Sequence, residues 1–231
     1  MKNRIFVALD LDSVEQVRKV AHAVAPFVGG YKVGPRLCMR YGPKLVEELA
    51  RLGPVFVDNK YFDIPNTMET AVAATFEAGA SYTTVHAQAG SEALKRLAEL
   101  EAKLNRERPF KILSVTVLTS FSQHGLPVVS RDMPIAKQVE ALAELTLESG
   151  LSGLVCSAEE VQNLNRRHPG AFLVVPGIRM PGQEKGDQSR TADPASAVKA
   201  GAAALVVGRP IVDAQDPAAA AKLFSEAVSN I

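Results

Sequence analysis

Residues 54–67 read PVFVDNKYFDIPNT. The run Val55-Phe56-Val57 is β-branched and aromatic, the composition of a buried strand. It passes into Asp58, Lys60 and Asp63, and Pro65 then stands where a helix begins. A short apolar strand that hands over to a helix through a polar turn is one β/α unit. The strand period of two puts Asp58 and Lys60 on one face and Val57 and Asn59 on the other.

The same unit recurs on both sides. Ile5–Leu9 reads as a strand, and Ser13 with Gln16 forms a capping box ahead of Val14, Val17, Ala21 and Val24 at helical spacing. Tyr31–Val33 is a second strand, followed by a stripe of Leu45, Leu49 and Leu52. Tyr82–His86 and Ile112–Leu118 are the fourth and fifth strands, each followed by a leucine-rich helix. Gly153–Cys156 is the sixth, with a second capping box at Ser157 and Glu160, and Phe172–Val175 and Ala204–Val207 complete the set. Asp193-Pro194 and Asp216-Pro217 each read as an N-cap followed by proline at the first helical position. Eight alternations without hairpin signals imply a parallel sheet. At 231 residues, with no linker or composition shift, the fit is an α/β fold, a single-domain (β/α)8 TIM barrel spanning residues 1–231. An open doubly wound sheet is the alternative, but it usually has fewer units or a second domain.

The formal net charge of +1 gives no electrostatic case for nucleic acid or an anionic membrane as partner. The apolar run near the N-terminus is broken by Asp10 and Asp12, so it reads as neither signal peptide nor membrane span, and a cytoplasmic location is expected. Cys38 and Cys156 have no disulfide or metal-motif spacing and read as buried thiols.

Barrel chemistry sits at the C-terminal ends of the strands. If Val57 faces the outer helices, Asp58 and Lys60 point into the barrel mouth. Asp10 follows the first strand, Lys32 lies in the second, His86 ends the fourth, and Thr119 and Ser120 follow the fifth. Taken singly each has an ordinary reading: a capping acid, a solvated lysine, a histidine satisfied by a structural hydrogen bond. Two acids and two lysines converging on one mouth do not. A second cluster lies after strands seven and eight, where barrels often bind phosphate. Gly177, Arg179, Gln188, Gly208 and Arg209 fall there, and residues 176–190 (PGIRMPGQEKGDQSR) form a long polar loop. A guanidinium fork suits phosphate because it donates two parallel hydrogen bonds.

Asp58-x-Lys60-x-x-Asp63-Ile64-Pro65-Asn66-Thr67 resembles the signature of the orotidine 5′-phosphate decarboxylase family. The likeness keeps its order along the chain: ALDLDS, YKVGP, TVHAQAG, VTVLTS, VCSA, PGIR, GDQSR and VVGRPI. It implies a homodimeric (β/α)8 barrel that converts orotidine 5′-phosphate to uridine 5′-phosphate, the last step of de novo pyrimidine synthesis, without metal or organic cofactor. It further implies that Lys32, Asp58, Lys60 and Asp63 form an alternating charged network, and that Lys60 protonates the C6 carbanion. Asp58 would stand near the departing carboxylate, and Asp63 and Thr67 would reach the partner subunit's site. Asp10 and Lys32 would contact ribose, Thr119 would lie near the base, and Arg179, Gln188, Gly208 and Arg209 would serve the phosphate. Two positions depart from the family pattern. Asn59 stands where an apolar residue is usual, and Phe62 where histidine is frequent; both bear on packing.

The chemistry is consistent with the residues themselves. An ammonium beside a developing carbanion stabilises it and then delivers the proton, and flanking carboxylates keep that ammonium charged and aimed in a partly dry site. Three rivals remain on the same residues. Magnesium-dependent sugar-phosphate enzymes share D-x-K-x-x-D but tend to carry an acid in place of Lys32. A non-catalytic phosphate-binding barrel would bind a nucleotide without turnover. A Schiff-base aldolase would need Lys60 as a neutral amine.

Overall fold

The computed structural model of the chain describes residues 3–183, 190–229 and 231. Eight parallel strands close into a barrel in chain order. They are β1 (Ile5–Ala8), β2 (Gly30–Val33), β3 (Val55–Tyr61), β4 (Tyr82–His86), β5 (Lys111–Val115), β6 (Gly153–Val155), β7 (Phe172–Val175) and β8 (Ala204–Val207). The intervening helices are α1 (Val14–Val24), α2 (Pro35–Ala50), α3 (Pro65–Glu77), α4 (Gly90–Leu104), α5 (Ile135–Glu148), α6 (Ala158–Arg167) and α7 (Pro194–Lys199), and α8 (Arg209–Val212) and α9 (Pro217–Glu226) follow β8. The ring is sealed by β1 on β8, with Ile5 opposite Leu205 and Val7 opposite Val207.

Strand alternation sorts the core into two layers. Val55 and Val57 pack in the larger layer between strands and helices, whereas Phe56 joins Phe6, Leu113 and Val174 inside the barrel. Phe6 meets Tyr82 edge to face with ring centroids 5.3 Å apart, and Tyr82 stacks on Phe172 at 6.0 Å. These rings fill part of the barrel interior beneath its mouth. Gly30 is needed for this packing: a Cβ there would stand 2.3 Å from the Pro54 carbonyl oxygen and 2.5 Å from the Phe6 ring. Both expected capping boxes are formed, at Ser13/Gln16 and Ser157/Glu160. Asp193 and Asp216 cap α7 and α9 by accepting from Ser196 N and Ala219 N, each such cap being worth about 1 kcal/mol.

Four strands end elsewhere than the sequence reading has them, and β2 and β5 each start one residue earlier. β1 ends at Ala8 and β6 at Val155, each one residue early. β5 ends at Val115 rather than Leu118, because Val117 and Leu118 leave the ladder to line the cavity above it. β3 continues to Tyr61 instead of stopping at Val57, so Asp58 and Lys60 lie within the strand rather than after it. Its pairing with β4 slips on the way: Val57 is opposite Thr83, but Tyr61 is opposite Val85.

Candidate active site

The C-terminal ends of the strands surround a cavity of about 810 Å³. Asp10, Lys32, Asp58 and Lys60 line it together. The Lys60 ammonium donates to Asp58 Oδ1 at 2.9 Å, while Lys32 Nζ lies 3.5 Å from Asp58 Oδ2 and 3.4 Å from Asp10 Oδ1. Charges therefore alternate from β1 across to β3. The Asp58 side chain is only 14% exposed. Burial pushes its carboxyl up, but Lys32, Lys60 and hydrogen bonds from Lys60 and Thr84 together outweigh burial and hold it below the ordinary value. The balance is reasonable, since a unit pair at 4 Å gains about 4 kcal/mol at an effective dielectric near 20.

Lys60 is the single non-glycine residue with positive φ among the described residues, at 49°. Such a backbone costs about 1–3 kcal/mol and persists only where its surroundings impose it. The slip of β3 against β4 falls at this position, as a bulge that re-aims a side chain. Alternation survives it. Asn59 and Tyr61 face outward, where Asn59 Nδ2 donates to Tyr61 Oη at 3.0 Å. The Asn59 amide nitrogen thus has a partner, while its buried Oδ1 has none among the described residues.

The rest of the cavity wall carries Thr119 and Ser120 after β5, Arg179 after β7, and Gly208 and Arg209 after β8. Gly208 both lines the cavity and stands at the N-cap of α8. Gln188 lies outside the described residues. Asp63 and Thr67 are exposed, and Asp63 accepts from Ile64 N at 2.7 Å rather than joining the cavity of its own chain. His86 packs against Phe62 with ring centroids 5.7 Å apart. Its Nδ1 is buried without a hydrogen-bond partner among the described residues, so the structural hydrogen bond expected there is not found. Burial, then the charge of Lys60, push its imidazole below the ordinary value, with Asp58 opposing.

Sequence reasoning missed Thr84, whose hydroxyl donates to Asp58 Oδ1 at 2.9 Å, and Asp213, which lines the cavity. The sequence shows Thr84 only as one β-branched residue in a strand. Among the described residues no three His, Cys, Asp or Glu side chains gather in a way that could hold a metal ion, and no helix is long and apolar enough to cross a membrane.

Fold and site together define an enzyme of the (β/α)8-barrel class, with a charged network and two arginines lining its mouth. The chain matches the Orotidine 5′-phosphate decarboxylase / HUMPS family over residues 3–224, and it belongs to that family. An orotidine 5′-phosphate decarboxylase from Anaeromyxobacter sp. (strain K) is 46% identical over 225 residues, covering 96% of each chain. One from Shewanella sediminis is 38% identical over 232 residues, covering 99% of each. The crystal structure of orotidine 5′-phosphate decarboxylase from Lactobacillus acidophilus superposes with a TM-score of 0.83 at 34% identity, covering 97% of this chain and 98% of that one. These relatives place the chain among the decarboxylases of its family.

Proposed function

We propose that the chain decarboxylates orotidine 5′-phosphate to uridine 5′-phosphate in pyrimidine biosynthesis, with Lys60 as the proton donor and no metal or organic cofactor. The carrying observation is the Lys60 ammonium held at 2.9 Å from Asp58 with Lys32 behind it, all facing one cavity. The C6–carboxylate bond breaks and leaves its electron pair on C6. The Lys60 ammonium stabilises that pair and transfers a proton to it, and water reprotonates the amine. Asp58 sits near the departing carboxylate, and Lys32 fixes Asp58. Asp10 and Lys32 take the ribose, Thr119 the base, and Arg179, Gly208 and Arg209 the phosphate. Energy from binding the phosphate is used at the distant pyrimidine end.

We further propose a homodimer in which Asp63 and Thr67 enter the partner subunit's site. Phe62 and Ile64, which flank Asp63, are 60% and 66% exposed. An apolar pair around an acid suits an interface better than solvent. We place the enzyme in the cytoplasm, where its free thiols Cys38 and Cys156 stay reduced.

The test follows the loss of orotidine 5′-phosphate absorbance with EDTA present, for the wild type and Lys60→Ala. Fast turnover abolished by the substitution supports the reading. Binding of uridine 5′-phosphate without turnover by the wild type would move the protein to a binding barrel. Turnover lost on chelation would move it to the magnesium-dependent sugar-phosphate enzymes.

A further inference from the structure

We propose that Thr84 is a positioning residue of this site: its hydroxyl ties the left-handed backbone of Lys60 to the Asp58 carboxylate and thereby aims the ammonium. The role rests on the reaction proposed at Lys60. Thr84 lies on β4 with no exposed surface. Its Oγ1 accepts from Lys60 N at 2.9 Å and lies 2.9 Å from Asp58 Oδ1. The same carboxylate oxygen receives Lys60 Nζ at 2.9 Å. The four atoms form a closed circuit, from the amide of Lys60 through Thr84 and Asp58 back to the ammonium of Lys60.

The direction of each bond is fixed by chemistry. An amide N–H only donates and a carboxylate only accepts, so the single hydroxyl proton goes to Asp58 and a lone pair faces Lys60. A side chain is needed here because β3 slips against β4 between Val57 and Tyr61, and Lys60 N takes the Thr84 hydroxyl as its acceptor inside that slip. The neighbouring Thr83 hydroxyl donates to the Val57 carbonyl at 3.1 Å, at the start of the same slip. Two adjacent threonine hydroxyls thus hold the bulge, and Thr84 is the one that faces the charges. Valine has nearly the shape of threonine but can neither donate nor accept, and it would leave the part-buried Lys60 amide without this partner.

Asp58 is faced by Lys32 from β2, by Lys60 on its own strand and by Thr84 from β4, with Asp10 beyond Lys32 and His86 at the end of β4. Removing the Thr84 hydroxyl takes one stabilising bond from the carboxylate and moves its titration to higher pH. The experiment compares Thr84→Val with Thr84→Ser by steady-state kinetics across pH and by ¹³C-carboxyl NMR titration of Asp58 without substrate. We expect Thr84→Val to lower kcat about 10- to 100-fold, about 1.4–2.7 kcal/mol, with KM changed less. We also expect it to shift the acid limb and the Asp58 titration upward, while Thr84→Ser keeps both close to wild type. Should the valine variant not fold, Thr84→Ala against Thr84→Ser makes the same comparison. Unchanged kcat in Thr84→Val overturns the inference, and so does a kcat loss with the Asp58 titration unmoved, which would make Thr84 a packing residue. A wild type without decarboxylase turnover overturns the proposed reaction instead, and the NMR titration still decides the link between Thr84 and Asp58.

Discussion

Arg190 and Glu160 form a buried ion pair, with side chains 7% and 9% exposed. Arg190 also donates through Nη2 to the Leu118 carbonyl at 3.2 Å, and Glu160 accepts from Ser157 N at 2.8 Å as part of the α6 capping box. Arg190→Met keeps the length of the side chain and strands Glu160 as a buried anion. Breaking such a pair costs about 3–5 kcal/mol, most of it the unpaired charge left behind. Here the cost falls at the lower end. The Ser157 donors remain, and an anion in the first turn of a helix gains about 0.5 kcal/mol from its dipole. A loss of about 3 kcal/mol lowers the melting temperature of a chain this long by about 6–12 °C. Glu160→Gln should cost at least as much, because it leaves a buried guanidinium and weakens the cap. The double variant Arg190→Met/Glu160→Gln should recover most of the loss, since neither charge then remains unpaired. The chain contains no tryptophan, so unfolding in urea is followed by far-UV circular dichroism at fixed protein concentration. An Arg190→Met variant within about 1 kcal/mol of wild type, or losses that simply add in the double variant, would refute the reasoning.

Tyr31 is buried, its Oη donates to the Ala21 carbonyl at 3.1 Å, and burial pushes its phenol from 10.0 up to about 12. The folded state holds this proton more tightly, so the contribution is complete below the unfolded value and lost as pH rises through about 12. Stability should fall by about 2–3 kcal/mol over that interval, read as a drop in urea midpoint that Tyr31→Phe abolishes. If Asp63 acts across a dimer, mixing Lys60→Ala with Asp63→Asn subunits restores one native site per heterodimer. About a quarter of wild-type activity should return on random reassociation, and none if each site is built from one chain. Arg209→Ala should lower kcat/KM for orotidine 5′-phosphate about 10- to 100-fold while leaving the slow reaction of phosphate-free orotidine unchanged. Equal losses on both substrates would remove Arg209 from the phosphate.

The barrel was legible because each strand contains a short apolar run and several helices carry a start signal; both capping boxes and both Asp-Pro caps are formed. β3 was cut short because Asp, Asn and Lys are poor strand residues, and only pairing with β4 keeps Asp58–Tyr61 extended. Ile112–Leu118 was drawn too long for the converse reason: Val117 and Leu118 are apolar because they line a cavity, not because they pair. Asp10, Lys32, Asp58 and Lys60 line one cavity, a convergence legible in the sequence because all four fall at or near the C-terminal ends of strands. Thr84 and the Arg190–Glu160 pair escaped notice because their roles depend on neighbours 26 and 30 positions away. A buried hydroxyl or a paired arginine has no local pattern that distinguishes it from any other.

The seam between β1 and β8 has a consequence for synthesis on the ribosome. Residues 5–8 emerge long before residues 204–207, with which they pair. Until then β1 has its neighbour on the β2 side only, and its other edge is open to whatever strand comes near. Asp10 and Arg209, which flank that seam on the cavity wall, come together only after β8 has been made. A chain stalled or truncated before β8 therefore carries most of the charged network yet lacks the Gly208–Arg209 wall of the cavity, and its exposed edge makes it a substrate for chaperones and proteases rather than a slow enzyme.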